Sequence, residues 1–214
     1  VKSQLAQIAV HPKMFGAVGD GETDDTGALQ ATIDFLKNQS FGTTKGGVIN
    51  LTGGKYAFTK INLKGIKNIT FEGNGASLMP MGSGTHPLQI EENAVNTIFN
   101  NIVFDGELLP PIYANVHLVS IRESENTFFN NCVFKNVLWG SRPNQRAVNG
   151  SDGIYIRAHT NERGYFIKGV YINNCKFENL SRNGVSVIQG EDIVMRDCSG
   201  SVRRSLFDIE PNHD

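Results

Sequence analysis

Asn126-Thr127-Phe128-Phe129, followed by Asn131-Cys132 and then by Phe134, is the stretch on which the fold turns. The same alternation returns in Asn68-Ile69-Thr70-Phe71, Asn96-Thr97-Ile98-Phe99, Gly169-Val170-Tyr171-Ile172 and Asp192-Ile193-Val194-Met195. Five residues after the first position of each stand Gly73, Asn101, Asn131, Asn174 and Asp197. From the second copy on, the next residue is Ile102, Cys132, Cys175 and Cys198, and Phe104, Phe134 and Phe177 complete the register. Successive first members lie 28, 30, 43 and 23 residues apart, a loose period within the range of solenoid coils.

A second column runs Leu88-Gln89-Ile90-Glu91, Val119-Ser120-Ile121-Arg122, Ile154-Tyr155-Ile156-Arg157, Val185-Ser186-Val187-Ile188 and Phe207-Asp208-Ile209-Glu210. Alternation of apolar and polar residues sends one set of side chains inward and the other outward. Each coil therefore carries at least two half-buried strands, and stacked coils form parallel sheets around one core. The longest step holds the stretch Gly140 to Gly164, rich in Asn, Ser, Arg and Gly, which reads as loops inserted between strands. In such a stack Asn101, Asn131 and Asn174 form a side-chain ladder, and Cys132, Cys175 and Cys198 a buried column of free thiols with no metal or redox role.

Outside the repeats, Phe15 to Gly21 is a glycine-punctuated turn, and Thr23-Asp24-Asp25 offers N-cap chemistry to a helix from about Asp24 to Lys37 with Ala28, Leu29, Ile33 and Leu36 on its apolar face. Gly46 to Leu51 and Thr52 to Phe58 read as two strands joined by a turn. The expected division is a lead-in over 1–14, a cap and first coil over 15–60, and coils over 61–214 that continue beyond the given C-terminus. The carboxylates of Asp20, Asp24 and Asp25 read as turn and capping groups, because an uncovered solenoid end exposes strand edges that a helix closes.

The 214 residues, 39% of them hydrophobic, suffice for one core, while 20 Lys and Arg against 21 Asp and Glu leave no electrostatic footprint for nucleic acid. No apolar run is long enough to insert in a membrane, and the three cysteines lack metal-site spacing. Neither a cofactor nor a metal is called for.

The string Phe15-Gly-Ala-Val-Gly-Asp-Gly-Glu-Thr-Asp-Asp-Thr-Gly-Ala-Leu-Gln-Ala-Thr-Ile33 closely resembles the N-terminal signature of the pectate-lyase superfamily, found in many bacteriophage tailspikes and preneck appendages and in polygalacturonase-like enzymes. Ser181 to Val187, Asp197-Cys198 and Phe207 to Asn212 are similar to coil sequences of its phage-borne and bacterial members. The resemblance implies an all-β fold, a right-handed single-stranded parallel β-helix with a short N-terminal capping α-helix. It further implies a cell-surface glycan as partner, a homotrimer, and a place in the virion tail, with secretion as the alternative. Of the polygalacturonase pattern, Asn-Thr-Asp is only loosely matched by Gly150-Ser151-Asp152-Gly153-Ile154, Arg182-Asn183 stands where the Asp pair would fall, and Gly-His-Gly and Arg-Ile-Lys are absent. Galacturonan hydrolysis is therefore not transferred.

The outward members of the second column, Gln89, Ser120, Tyr155, Ser186 and Asp208, with Glu91, Arg122, Arg157 and Glu210 beside them, read as an exposed polar groove of sugar size. Glycoside hydrolysis commonly uses two carboxyl groups flanking the scissile bond. Asp208 and Glu210 lie two apart on one strand face, close enough to separate their pKa values, and with Asp152 they are the catalytic candidates. Tyr155, Arg157, Ser186, Arg122 and Arg182 are the candidates for binding substrate. Hydrolysis is placed ahead of elimination, for which Arg157, Arg182, Arg203 or Arg204 would serve as base. Tyr113, Trp139, Tyr155 and Tyr165 are possible sugar platforms; His159 and His213 read as surface residues. The rival to a depolymerase is an adhesin that binds glycan in the same groove without cutting it.

Overall fold

The computed structural model describes residues 8–41, 44–82, 86–110, 116–137, 151–157 and 167–210. Three long parallel sheets wrap one core. Sheet A is built from Ala9–Val10, Gly47–Asn50, Lys67–Glu72, Ala94–Asn100, Ser124–Asn130, Ile167–Asn173 and Glu191–Arg196. Sheet B takes Asp20–Asp24, Lys55–Phe58, Ser77–Pro80, Val103–Asp105, Val133–Val137, Lys176–Leu180 and Ser199–Val202. Sheet C takes Ile61–Lys64, Leu88–Glu91, Val119–Ile121, Ile154–Ile156, Val185–Val187 and Phe207–Ile209. From Gly47 on, the chain visits A, B and C in turn and begins again one coil further on, as a parallel β-helix does.

Both columns read from the sequence pair in register. In sheet A, Ile69, Thr97, Thr127, Val170 and Ile193 lie side by side on consecutive strands. In sheet C the same holds for Leu88, Val119, Ile154, Val185 and Phe207. The phenylalanines of the repeat stack from coil to coil: Phe71, Phe99 and Phe129 in one pile at 4.7 and 5.0 Å, and Phe104, Phe134 and Phe177 in a second at 4.7 and 4.9 Å. Edge contacts between the two piles tie sheets A and B together.

The first position of the repeat is set by backbone geometry. Asn68, Asn96, Asn126, Gly169 and Asp192 all have positive φ, between 53 and 68°. Only Gly, Asn and Asp enter this left-handed region at modest cost, which is why the column holds no other type. Here the amides of Asn96 and Asn126 each donate to the asparagine one coil below, at 2.7 and 3.2 Å. Asn101, Asn131, Asn174 and Asp197 repeat the left-handed conformation at the turn into sheet B, and the Asn174 amide donates to Asn131 at 2.7 Å. Further rungs join Asn173, Asn130 and Asn100. The cysteine column is present as well: Cys132 N faces Cys175 Sγ at 3.4 Å and Cys175 N faces Cys198 Sγ at 3.3 Å. Contact with Cys132 and burial push the Cys175 thiol far above its ordinary range, so it stays protonated.

The capping helix α1 runs Thr26–Asn38 and buries Leu29, Thr32, Ile33 and Leu36 over the first coils, beside Ile49, Leu51, Ile61 and Phe71. It starts two residues later than the sequence reading placed it and has no acidic residue in its first turn. Of the aspartates before it, Asp20 and Asp25 act on the preceding turn, and Asp24 alone reaches the first helical amide. Asp25 is buried and accepts from Val18 N at 2.7 Å and Gly19 N at 3.0 Å. Asp20 accepts from Glu22 N and Thr23 N, both at 2.8 Å, and these amides hold its carboxyl down to about 2. Asp24 accepts from Thr26 N at 3.0 Å. The signature motif thus folds its own turn.

Candidate functional site: a polar ladder on the outer face of sheet C

Two residues before each of the last five sheet C strands, the chain places His86, His117, Asp152, Asn183 and Ser205, one per coil and in register. These residues are linked along the stack. The rings of His86 and His117 lie near-parallel at 5.4 Å, and His117 Nδ1 lies 3.1 Å from Asp152 Oδ2. Asn183 N donates to Asp152 Oδ1 at 3.0 Å, and Ser205 N donates to Asn183 Oδ1 at 3.1 Å. Glycine follows the ladder residue where the turn is tightest. A Cβ on Gly153 would meet Gly184 O at 2.8 Å, and one on Gly184 would meet Leu206 O at 2.6 Å; the Phe177 ring closes in on both. This explains Asp152-Gly153-Ile154 and Asn183-Gly184-Val185.

In the outward row read from the sequence, Gln89, Ser120, Tyr155, Ser186 and Asp208, the last four contact this ladder. Ser120 Oγ is 2.7 Å from His86 Nδ1. Tyr155 stacks on His117 with centroids 4.1 Å apart and planes 8° from parallel. Asn183 Nδ2 donates to Ser186 Oγ and to Asp208 Oδ2, both at 2.9 Å. One correction follows for the open groove expected of this row. Gln89, Ser120 and Ser186 are buried, so Ser186, expected to bind substrate, is turned to Asn183, while Tyr155 and Asp208 are half-buried.

The three candidate carboxylates occupy different settings. Asp152 is fully buried, between His117, Asn183 and the Arg182 guanidinium, whose Nη1 is 3.7 Å from Oδ2. Glu210 pairs with Arg182 and, at 3.5 Å, with Arg204. Burial opposes the charge on Arg182, yet Glu210 and Asp152 hold its pKa above the ordinary value. Glu210, Arg182 and Asp152 thus alternate in charge along the stack, and Asp152 meets the His117 ring at the inner end. Arg122 is half-buried and Arg157 exposed; they follow sheet C strands on consecutive coils, and Arg157 Nη1 reaches the Tyr155 hydroxyl at 3.5 Å. Tyr113, Trp139, Tyr165, His159 and His213 lie outside the described residues, as does most of the stretch from Gly140 to Gly164. Among the described residues, no group of three or more His, Cys, Asp or Glu is gathered as for a metal ion.

His86, His117 and Asn183 carry much of this site and were not singled out from the sequence. The signal was the second column itself: each strand's first apolar residue has a polar or ring-bearing residue two positions ahead of it.

Fold and face together define a solenoid of the pectate-lyase-like kind with a polar ladder along one sheet. The chain belongs to the family described as "Rhamnogalacturonase A/epimerase, pectate lyase-like", whose model matches residues 9–206. It is similar to a capsule K30/K69-specific depolymerase of Klebsiella phage K64-1, with 39% identity over 84 residues, 37% of this chain and 10% of the phage protein. The chain therefore matches only a small part of that relative. Among solved structures it is similar to PfbA, a surface adhesin of Streptococcus pneumoniae, at 14% identity over 84% of this chain and 59% of that one, with a TM-score of 0.46. It is also similar to the GH82 iota-carrageenase of A. fortis at 13% identity over 89% and 54% of the two chains, with a TM-score of 0.42.

Proposed function

We propose that this chain is part of a phage-borne depolymerase that binds and cleaves a bacterial surface polymer, a polysaccharide or a teichoic-acid-like chain, along the outer face of sheet C. The observation that carries the reading is the ladder of His, Asp, Asn, Ser and Tyr side chains over five consecutive coils, whose half-buried members His86, Tyr155, Ser205 and Asp208 form its accessible polar edge. Consecutive strands are about 4.8 Å apart, so the face extends roughly 20 Å, enough for several sugar units. Family membership and the likeness to a capsule depolymerase support a glycan as the occupant. In this proposal Asp208 and Glu210 exchange protons with the scissile bond, and Arg182 and Tyr155 bind the sugar. Asp152, with no surface of its own, positions His117 and Arg182. The virion tail and a homotrimer belong to the same proposal.

Product analysis by mass spectrometry tests it, using the protein and its Asp208→Asn and Glu210→Gln variants on purified bacterial surface polymers. Fragments carrying added water that disappear in the variants support hydrolysis at this face. Unsaturated fragments indicate elimination and remove the two-carboxylate role. Glu210 held by two arginines favours one rival, an adhesin, and binding without any fragment would establish it over the depolymerase.

A further inference from the structure

Strand pairing sets Val48, Thr70, Ile98, Phe128, Tyr171 and Val194 side by side on the outer face of sheet A, one per coil. All six are half-buried and none belongs to the core. This column is uncharged from end to end, whereas the outer face of sheet B carries Asp105, Lys135 and Glu178 in one row and that of sheet C the polar row ending at Asp208. Phe128 and Tyr171 stack on each other, with centroids 4.8 Å apart and planes 14° from parallel, so their faces turn to neighbouring strands and their edges outward. A sugar packs on an exposed aromatic face, which this column withholds; ring edges suit packing against other side chains. The margins of the face are charged in an ordered way. The strand Lys67–Glu72 begins with a cation and ends with an anion, and Glu191–Arg196 begins with Glu191 and Asp192 and ends with a cation. On the strands between them the last residue is Asn100, Asn130 or Asn173, amides linked to one another with hydrogen-bonding capacity to spare.

We infer that sheet A is the face through which copies of this chain meet, three stacks standing parallel about a common axis with the uncharged column innermost. The inference rests on the homotrimer of the proposed function and adds the surface that forms it. Rotation about an axis parallel to the stack keeps every coil at its own level and sets the beginning of each strand in one copy against the end of the same strand in the next. Lys67 then faces Glu72 of the next copy, and Glu191 and Asp192 face its Arg196, so charges of opposite sign meet at both ends of the interface. Matching the same charged ends with one stack reversed would bring Glu125 of both copies together at mid-height, because Glu125 lies two coils from Lys67 and two from Glu191. Burial of the column near the axis removes apolar surface from water. Sheet C, the face proposed for the polymer, stays open to solvent.

The test is sedimentation velocity over a concentration series, on the protein and on its Ile98→Asp and Arg196→Glu variants, with far-UV circular dichroism to check the fold. The expected result is a species of three chains that Ile98→Asp, by gathering three carboxylates near the axis, converts to single folded chains. Arg196→Glu, which sets like charges against Glu191 and Asp192 of the next copy, should raise the concentration needed for assembly at least tenfold. Ile98→Cys and Val133→Cys, the latter on the outer face of sheet B, give an independent readout that holds even where Ile98→Asp fails to fold. Diamide, which takes two electrons and two protons from a pair of thiols, should join two copies of Ile98→Cys through a disulfide and leave Val133→Cys unlinked. A trimer that survives in folded Ile98→Asp, or that is linked through Val133→Cys and not through Ile98→Cys, overturns sheet A as the interface and leaves the trimer standing. A species of two chains overturns the three-fold arrangement. Single chains at every concentration overturn the interface and the trimer together, while release of fragments from a surface polymer would still uphold the depolymerase.

Discussion

At the scale of single residues, His86 shows how the ladder tunes a side chain. Burial, and after it the charges of His117, Arg122, Lys60 and Arg157, lower its pKa to about 4. Its ring is therefore neutral near pH 7. An NMR titration of the imidazole signals should place the His86 inflection near about 4, and Arg122→Ala should move it upward, since one repelling charge is gone. Asp25 offers a second test. It is buried and serves the amides of Val18 and Gly19, so Asp25→Ala leaves two donors unpaired beneath α1. The expected loss is about 1–3 kcal/mol in urea unfolding, whereas Asp20→Ala, on the exposed side of the same turn, should cost less. What the sequence tells of such residues is uneven. The carboxylates of the signature were legible as structural because their spacing suits turns and caps, although Asp25 staples the loop where a helix cap was anticipated. His86 and His117 escaped notice because they lie 31 residues apart along the chain and meet only through the register of sheet C.

At the scale of elements, the left-handed positions and the phenylalanine piles make the coils repeat. Asn126→Ala should cost about 1–2 kcal/mol from the strained φ, besides losing the bond to Asn96, while Asn126→Gly keeps the conformation and loses only the bond. Chemical denaturation of the two variants separates these contributions, and equal losses would argue against the backbone as the cause. Phe129→Ala removes the middle of one pile and should cost about 3–5 kcal/mol. Strand placement was legible because alternation has a period of two and Asn marks the left-handed residue in print. The turns between strands were not, because their course depends on contacts with the next coil. Burial of Gln89, Ser120 and Ser186 is of that kind: alternation correctly sends these side chains away from the core, yet the outer face they reach is itself packed.

For the whole molecule, the coupling of His86 to its surroundings predicts how stability depends on pH. An unfolded histidine titrates near about 6.5, so on acidification the unfolded chain takes up this proton before the folded one does. The contribution of neutral His86 is intact above about pH 6.5 and declines as pH falls toward about 4. Urea midpoints measured across that window should fall with pH, and more shallowly in His86→Gln; an unchanged slope in the variant would place the dependence elsewhere.

The unequal spacing of the repeats has a consequence for how such a chain diversifies. Sheet A keeps the same side-by-side pairing whether the step to the next coil takes 43 residues, from Asn126 to Gly169, or 23, from Gly169 to Asp192. Strand register and connection length are thus independent variables. A connection can be lengthened, shortened or exchanged while the frame beneath keeps its dimensions, like a rail that accepts new tools at fixed stations.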